Sequence, residues 1–262
     1  MKPMVKRCLT SVAFGGMDVH YKFSSLTLRD AAGGVVQRRR LEHCDRAVLR
    51  QELRQLPPGT KLAVEASFGW AWLSDELLAA GLDVRLSNCY KVEQMRKARG
   101  QVKTNAKDAD LLSLLPAEAD NWWQVWLPPP EVRDKREYLR YRSGLVKLQT
   151  QTKNRIQAHL HRLGVFHDFA DLFGARGRRF LLEICATGRH GATNEPIPAG
   201  ALAALSGQVR LLLGLRQELA EVEAELRRQL EHSELTQRLK TIPGLGLILS
   251  HLLVAEIGRI ER

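Results

Sequence analysis

Between residues 11 and 41 apolar and polar side chains alternate in short bursts: SVAFGGMDVH, then YKFSSLTLRD, then VVQRRRLE after a turn at residues 31–34. A period of two predicts three strands running as a meander. Asp45 stands where a helix N-cap belongs, and helical spacing continues to about Leu56, where Pro57, Pro58 and Gly59 break it. KLAVEAS is an apolar run of strand length ending at Glu65, WAWLSDELLAAG is a helix stopped by Gly81, and DVRLSN is a further strand. Two helices, around residues 90–98 and 105–115, complete the region. The order βββαβαβα describes an α/β fold, a mixed sheet flanked by helices. Its first three strands are antiparallel and the later ones arrive through crossovers.

The pattern changes at NWWQVWLPPP, residues 121–130, because a triple proline cannot continue a helix and almost only helical spacing follows. Trp122, Trp123 and Trp126 are read as a packed hinge, with base stacking as the alternative. Residues 131–163 form one long predicted helix with Leu139, Val146, Ile156, Leu160 and Leu163 toward one side. Its remaining surface is strongly basic, and Arg136, Arg140, Arg142 and Lys147 there could track phosphates, with an ordinary solvated face as the alternative. A second long helix, about residues 201–230, carries Leu205, Val209, Leu212, Leu215, Leu219, Val222 and Leu226 at alternating steps of three and four, the spacing of a coiled-coil seam. The expected organisation is a catalytic domain over 8–120, a hinge over 121–130, a helical stalk or dimerisation region over 131–232, and a further, incomplete domain over 233–262. The stalk makes a homo-oligomer, dimer or tetramer, the expected state.

Charge narrows the partner. Lys and Arg number 40 against 29 Asp and Glu, a formal charge of +11, which favours a polyanion, nucleic acid before a membrane surface because the charge is spread along the chain. The four cysteines, Cys8, Cys44, Cys89 and Cys185, make neither a CxxC pair nor a disulfide framework. No run of 18 apolar residues and no signal peptide pattern is present, so a cytoplasmic, nucleoid-associated protein is expected.

Against this basic background three carboxylates stand out. Asp18 follows Gly15 and Gly16 at the end of a strand, Glu65 ends a buried strand, and Asp108 opens an apolar helix. The two strands can lie side by side, which puts both carboxylates on one edge of the sheet. Carboxylates from distant positions suit Mg²⁺, whose remaining ligands are waters and phosphate oxygens. Two metals roughly 4 Å apart suit phosphodiester cleavage. Each residue also has an ordinary reading: an Asp after a strand is commonly a turn residue, and an Asp in a first helical turn is favoured by the dipole.

GMDVH, VEAS, VKTNAKDADLL and TIPGLGLILSHLLVAEIG, in that order, resemble the motifs of the DEDD transposases of prokaryotic insertion sequences, the insertion-sequence one-ten family that includes the Piv-type invertases. The resemblance implies an N-terminal RuvC-like domain of the ribonuclease H fold, divalent metal held by Asp18, Glu65 and Asp108, DNA as substrate, and a structured guide RNA. The family's remaining Asp falls on Asn105, an amide that can coordinate Mg²⁺ but brings no charge. Asp110 points to another helix face than Asp108 and ranks below Asn105 as a ligand. Lys103 and Lys107 would meet phosphate. IPGLG, residues 242–246, fits the hairpin of a helix-hairpin-helix element, with Gly244 and Gly246 exposing amides to a phosphate. The family pattern continues into a segment bearing a serine nucleophile, so a truncated C-terminus is expected, and Ser250 is not assigned that role.

Other chemistries fit poorly. His159, His161 and His167 lack a completing ligand set for zinc. GxxxxGKS and GxGxxG are both absent. An actin-like sugar kinase would need a Gly- and Thr-rich phosphate loop where YKFSS stands. The alternatives retained are a non-catalytic nucleic-acid-binding remnant of a transposase and a RuvC-like structure-specific nuclease.

Overall fold

The computed structural model describes residues 11–100, 105–191, 193–229 and 233–258, with residues 105–107 in their backbone alone. The chain divides into two compact units, Met1–Leu127 and Pro128–Arg262.

In the first unit the expected order appears: β1 (Phe14–Val19), β2 (Phe23–Arg29), β3 (Val35–Glu42), α1 (Arg46–Leu53), β4 (Lys61–Glu65), α2 (Trp70–Ala79), β5 (Asp83–Ser87), α3 (Cys89–Ala98) and α4 (Asn105–Leu112). The sheet runs β3-β2-β1-β4-β5. β1, β2 and β3 pair antiparallel, and β4 and β5 add in parallel beside β1. Local chemistry sets the turns. Asp30 accepts from the amides of Ala32 and Gly34 while Gly33 takes φ +83°, which closes the β2–β3 hairpin. The Asp45 carboxylate accepts from the amides of Ala47 and Val48 and starts α1.

β1 is buried on both faces. Met17 and Val19 on one face join Leu26, Leu28, Leu62, Val64 and Val84 against Leu49 and Leu53 of α1 and Leu73 and Leu77 of α2. The opposite face, carrying Gly16, Asp18 and Ala63, receives α4. Ala63 packs with Leu111, Leu112, Leu115, Val92 and Trp123. Gly16 permits this approach, because a Cβ there would lie 2.1 Å from the Ser113 amide nitrogen. Within the Trp-rich stretch the rings differ in burial. Trp123 is fully buried, its carbonyl accepts from the Asn88 amide, and the Val125 amide donates to Leu86, so the segment lines the β5 edge. The prolines instead start the next helix, with Pro130 at its first position.

The second unit is helical: α5 (Pro130–Arg162), α6 (Ala175–Thr187), α7 (Ala199–Gln229), α8 (Glu234–Lys240) and α9 (Leu247–Ile257). Ile156 and Leu160 late in α5 cluster with Leu205, Val209 and Leu212 early in α7. Leu139 and Leu145 early in α5 cluster with Val222 and Leu226 late in α7. The two long helices are therefore antiparallel neighbours. The seam expected to serve a stalk or a dimer closes within the chain.

Glycine substitutions should separate the tight position from the open ones. Gly16→Ala, which drives a methyl into α4, is expected to destabilise by about 1–3 kcal/mol. Gly144→Ala in α5 and Gly214→Ala in α7, where nothing lies within 4 Å of the added carbon, are expected to stabilise by about 0.5–1 kcal/mol each. Urea unfolding of the three variants is the measurement.

Candidate functional site at the acidic edge of the sheet

The parallel register of β1 and β4 pairs Gly16 with Ala63 and Met17 with Val64. One residue further along each strand come Asp18 and Glu65. Side chains alternate along a strand, so Asp18 shares a face with Gly16, and Glu65 with Ala63. The two residues thus stand on adjacent strands, on the face that α4 covers, with their backbones about one strand spacing of roughly 4.8 Å apart. Asp18 is only 7% exposed, and Glu65 is half-buried. Nε2 of His20 lies 3.0 Å from Oδ2 of Asp18, a close polar contact without a well-formed hydrogen bond. The His20 ring packs 4.6 Å from that of Phe23, over which the Arg40 guanidinium lies at 3.5 Å.

α4 is fastened to this face by Asp110. Thr27 Oγ1 donates to Asp110 Oδ1 at 2.8 Å, and Arg38 donates to both carboxylate oxygens at 2.8 Å. Arg29 Nε donates to Ser113 Oγ, whose hydroxyl donates to the Asp110 carbonyl. Burial alone would push the Asp110 carboxyl up, but the hydrogen bonds from Arg38 and Thr27 and the charges of Arg38 and Arg29 hold it below its ordinary value. Ser113 sits beside Arg29, and Asp110 beside Thr27. In the β1–β2 register these correspond to Phe14 and Gly16, so α4 runs back along β1 toward Asp18. Asp108, half-buried, lies two residues from Asp110 and faces another way. The Arg96 guanidinium is held charged first by its hydrogen bond to Glu93, and also by the charges of Asp108 and Glu65. One cation in α3 therefore feels both.

Cys89 borders the same edge, its Sγ–H donating to the Ala66 carbonyl at 3.1 Å. Burial first, and then the neighbouring Glu65 carboxylate, push its thiol up. His20 and Arg96 were not singled out from the sequence. The signal was present in the i, i+2 spacing of Asp18 and His20 on a strand, whereas Arg96 becomes visible only once α3 is placed.

The remaining expected residues separate. Lys103 and the side chains of Asn105 and Lys107 lie outside the described residues. Arg136 donates to the carbonyls of Ala255 and Glu256 at 2.7 and 3.0 Å, closing the C-terminal turn of α9. Arg140 forms a two-pronged pair with the Glu256 carboxylate at 2.6 and 2.7 Å, and that pairing holds the carboxyl low. Both guanidiniums are thus committed inside the second unit. Lys147 is exposed. Gly244 takes φ +88° in the turn between α8 and α9, and Gly246 is the N-cap of α9. Ser250 is fully buried, its hydroxyl unpaired. Among the described residues no group of three or more His, Cys, Asp and Glu lies close enough to hold a metal.

Three substitutions test these assignments. Asp110→Asn should cost about 1–3 kcal/mol, toward the lower figure because Arg38 is 56% exposed. Its carboxyl is depressed in the folded state, so its contribution is present above the ordinary carboxylate value and vanishes as pH falls through the folded one. The gap between variant and parent in thermal melts should therefore close in acid. Arg136→Ala should lower melting temperature and weaken DNA binding only where it unfolds the chain, whereas Lys147→Ala should leave the melt unchanged.

No helix among the described residues is long and apolar enough to cross a membrane. No individual curated protein matches the chain. A family model described as Transposase, for the DEDD transposases of the insertion-sequence one-ten type, matches residues 15–164. That span runs from the glycine pair ahead of Asp18, through Glu65 and Asp108, to the end of α5. Members of the family act on DNA and need a divalent metal. With more than half of its length inside the match, the chain belongs to the DEDD transposases of the insertion-sequence one-ten family and is an enzyme of the transposase and recombinase kind.

Proposed function

We propose that the edge bearing Asp18, Glu65 and Asp108 is where this transposase cuts DNA strands with Mg²⁺. The observation that carries the reading is the parallel register that sets Asp18 beside Glu65 on the face covered by α4. The donor set is all oxygen, and Mg²⁺ is commonly held by one or two carboxylates with phosphate oxygens and waters, so the residues fit the ion. When bound, the metal neutralises charge on the scissile phosphate and lowers the pKa of a coordinated hydroxyl. Asp18 and Glu65, fixed by the sheet, supply anionic oxygens that need little rearrangement. Asp108 would join them from α4, and Arg96 lies near enough to Asp108 and Glu65 to offset part of their charge. Asn105 brings an amide where the family carries a carboxylate, so it supplies an oxygen without charge.

DNA binding in this reading rests on the net charge of +11 and on the α8–α9 turn. There Gly244 and Gly246 leave the amides at the start of α9 open to a phosphate, as in a helix-hairpin-helix. A structured guide RNA is part of the same reading, from the family. A chain that binds nucleic acid without cutting it is the second reading, favoured by Asn105 alone.

Calorimetric Mg²⁺ titration together with nicking of supercoiled DNA tests the proposal. Asp18→Asn and Glu65→Gln are expected to abolish nicking and weaken Mg²⁺ binding at least 10-fold, on the order of one charged ligand, with folding retained. Asn105→Asp is expected to tighten it. Nicking that survives Asp18→Asn rejects the site. DNA affinity is expected to fall steeply with salt, and a flat dependence rejects binding by charge.

A further inference from the structure

β1, β4 and β5 lie side by side and run the same way, so their C-terminal ends form one edge. Each connection leaving that edge carries a large ring in water. Tyr21, in the turn after β1, is 94% exposed, Phe68, between β4 and α2, is 95% exposed, and Tyr90, in the first turn of α3, is 71% exposed. Trp122, 43% exposed, joins them. It precedes Trp123, whose carbonyl accepts from Asn88 at the end of β5, and its own carbonyl accepts from Lys91. These four are all the exposed aromatic side chains among the described residues of the first unit. Exposed rings scattered over a surface need no explanation, but four gathered on one edge do.

The same edge carries Asp18 and Glu65. Two of the rings are followed directly by a lysine, in the pairs Tyr21–Lys22 and Tyr90–Lys91. A ring beside a cation, repeated at the two strands that flank β4, matches the alternation of base and phosphate along a single strand. Aromatic side chains stack on any base, and the stacking is available only where the base is unpaired. The rings span two strand spacings, roughly 10 Å, which is room for a few nucleotides. A protein partner would favour an apolar patch without lysines at its centre.

We propose that Tyr21, Phe68, Tyr90 and Trp122 form a stacking rim that holds unpaired bases of the DNA strand being cut, so that this edge takes locally melted DNA rather than closed duplex. The proposal rests on the reading of the acidic edge as the cutting site, and it adds the state of the strand that enters it. The charge of the rim fits a strand: Lys22 and Lys91 meet phosphates on either side of the two carboxylates.

The test uses the full chain in EDTA, where cutting is suppressed. Anisotropy compares a labelled single strand, the closed duplex, a duplex with a central unpaired bubble, and an RNA of the same sequence. 2-Aminopurine placed at the unpaired position reports stacking through its emission. The single strand and the bubble are expected to bind more tightly than closed duplex. Phe68→Ala and Tyr90→Ala should each weaken them roughly 5- to 150-fold, leave closed duplex unchanged and abolish the 2-aminopurine quenching. Phe68→Trp should restore both. Equal loss on closed duplex, or no loss at all, overturns the rim. Tighter binding of RNA than of DNA, with the same quenching, overturns the assignment to the cut strand. A shift of oligomeric state in sedimentation with unaltered nucleic-acid binding gives the face to a second copy instead. Asp18→Asn keeps the two readings apart, because it should remove nicking and leave the quenching intact. If nicking survives that change while the rings still quench, the cutting site falls and the rim stands.

Discussion

The backbone of β1 at Gly16 touches the turn that ends α4, and the acidic edge depends on that contact. A side chain there would meet the Ser113 nitrogen at 2.1 Å. The helix can therefore sit this close to the sheet only over a glycine. Asp110 then fixes its rotation, through a buried hydroxyl on β2 and a guanidinium on β3. A helix held by its backbone at one point and by a carboxylate at another has little freedom to roll. Asp108, two residues away, is turned by the helical period toward α3 and β4, where Arg96 senses both it and Glu65. The two aspartates of KDAD thus divide the work: one fastens the helix, and the other is delivered by it.

In the second unit several of the cations on α5 are engaged in pairing within the chain. Arg142 pairs with Glu223 across α5 and α7, Arg140 with Glu256, and Arg136 with the last carbonyls of α9. These guanidiniums lie on the helix face that looked most like a phosphate track. They instead stitch a helical hairpin whose apolar seam is already closed by Leu139, Leu145, Val222 and Leu226. A formal charge counts side chains, whereas a polyanion responds to those whose partners are weak or absent.

Much of this fold was legible because burial repeats with a period. β2 sets Leu26 and Leu28 among polar residues, β4 carries the apolar run Leu62, Ala63 and Val64, β5 alternates Val84 and Leu86 with Asp83, Arg85 and Ser87, and α7 keeps its three-four spacing along its length. The Asp45 cap and the glycine of the β2–β3 turn were readable for the same reason, since their chemistry is local. What sequence could not supply was the partner of each face. The α7 seam looks the same whether it meets α5 or a second chain. Trp123 looks like its neighbour Trp122, yet one is core and the other half in water, because only the first faces Ala63 and Leu111. The helical angle between Asp108 and Asp110 alone ranks Asp110 as the weaker ligand. That it was spoken for by Arg38, 72 residues away, needed the sheet.

In the proposed reading, carboxylates at the end of the sheet would repel the polyanion they handle, and neutral rings with placed cations would meet that difficulty. Like charges on adjacent strands raise one another's pKa unless something opposes them. Arg96 does so from one side, and a divalent ion would do so from the other. Around them the edge is ringed by Tyr21, Phe68 and Tyr90, which attract bases through their faces and carry no charge. An aromatic rim lets a strand approach through its bases while its phosphates are met by Lys22 and Lys91. In that proposed arrangement the negative centre would be reached only by a phosphate whose charge a divalent metal offsets. On this view the exposed rings and the buried carboxylates are two parts of one electrostatic arrangement, set on the same edge because parallel strands end there together.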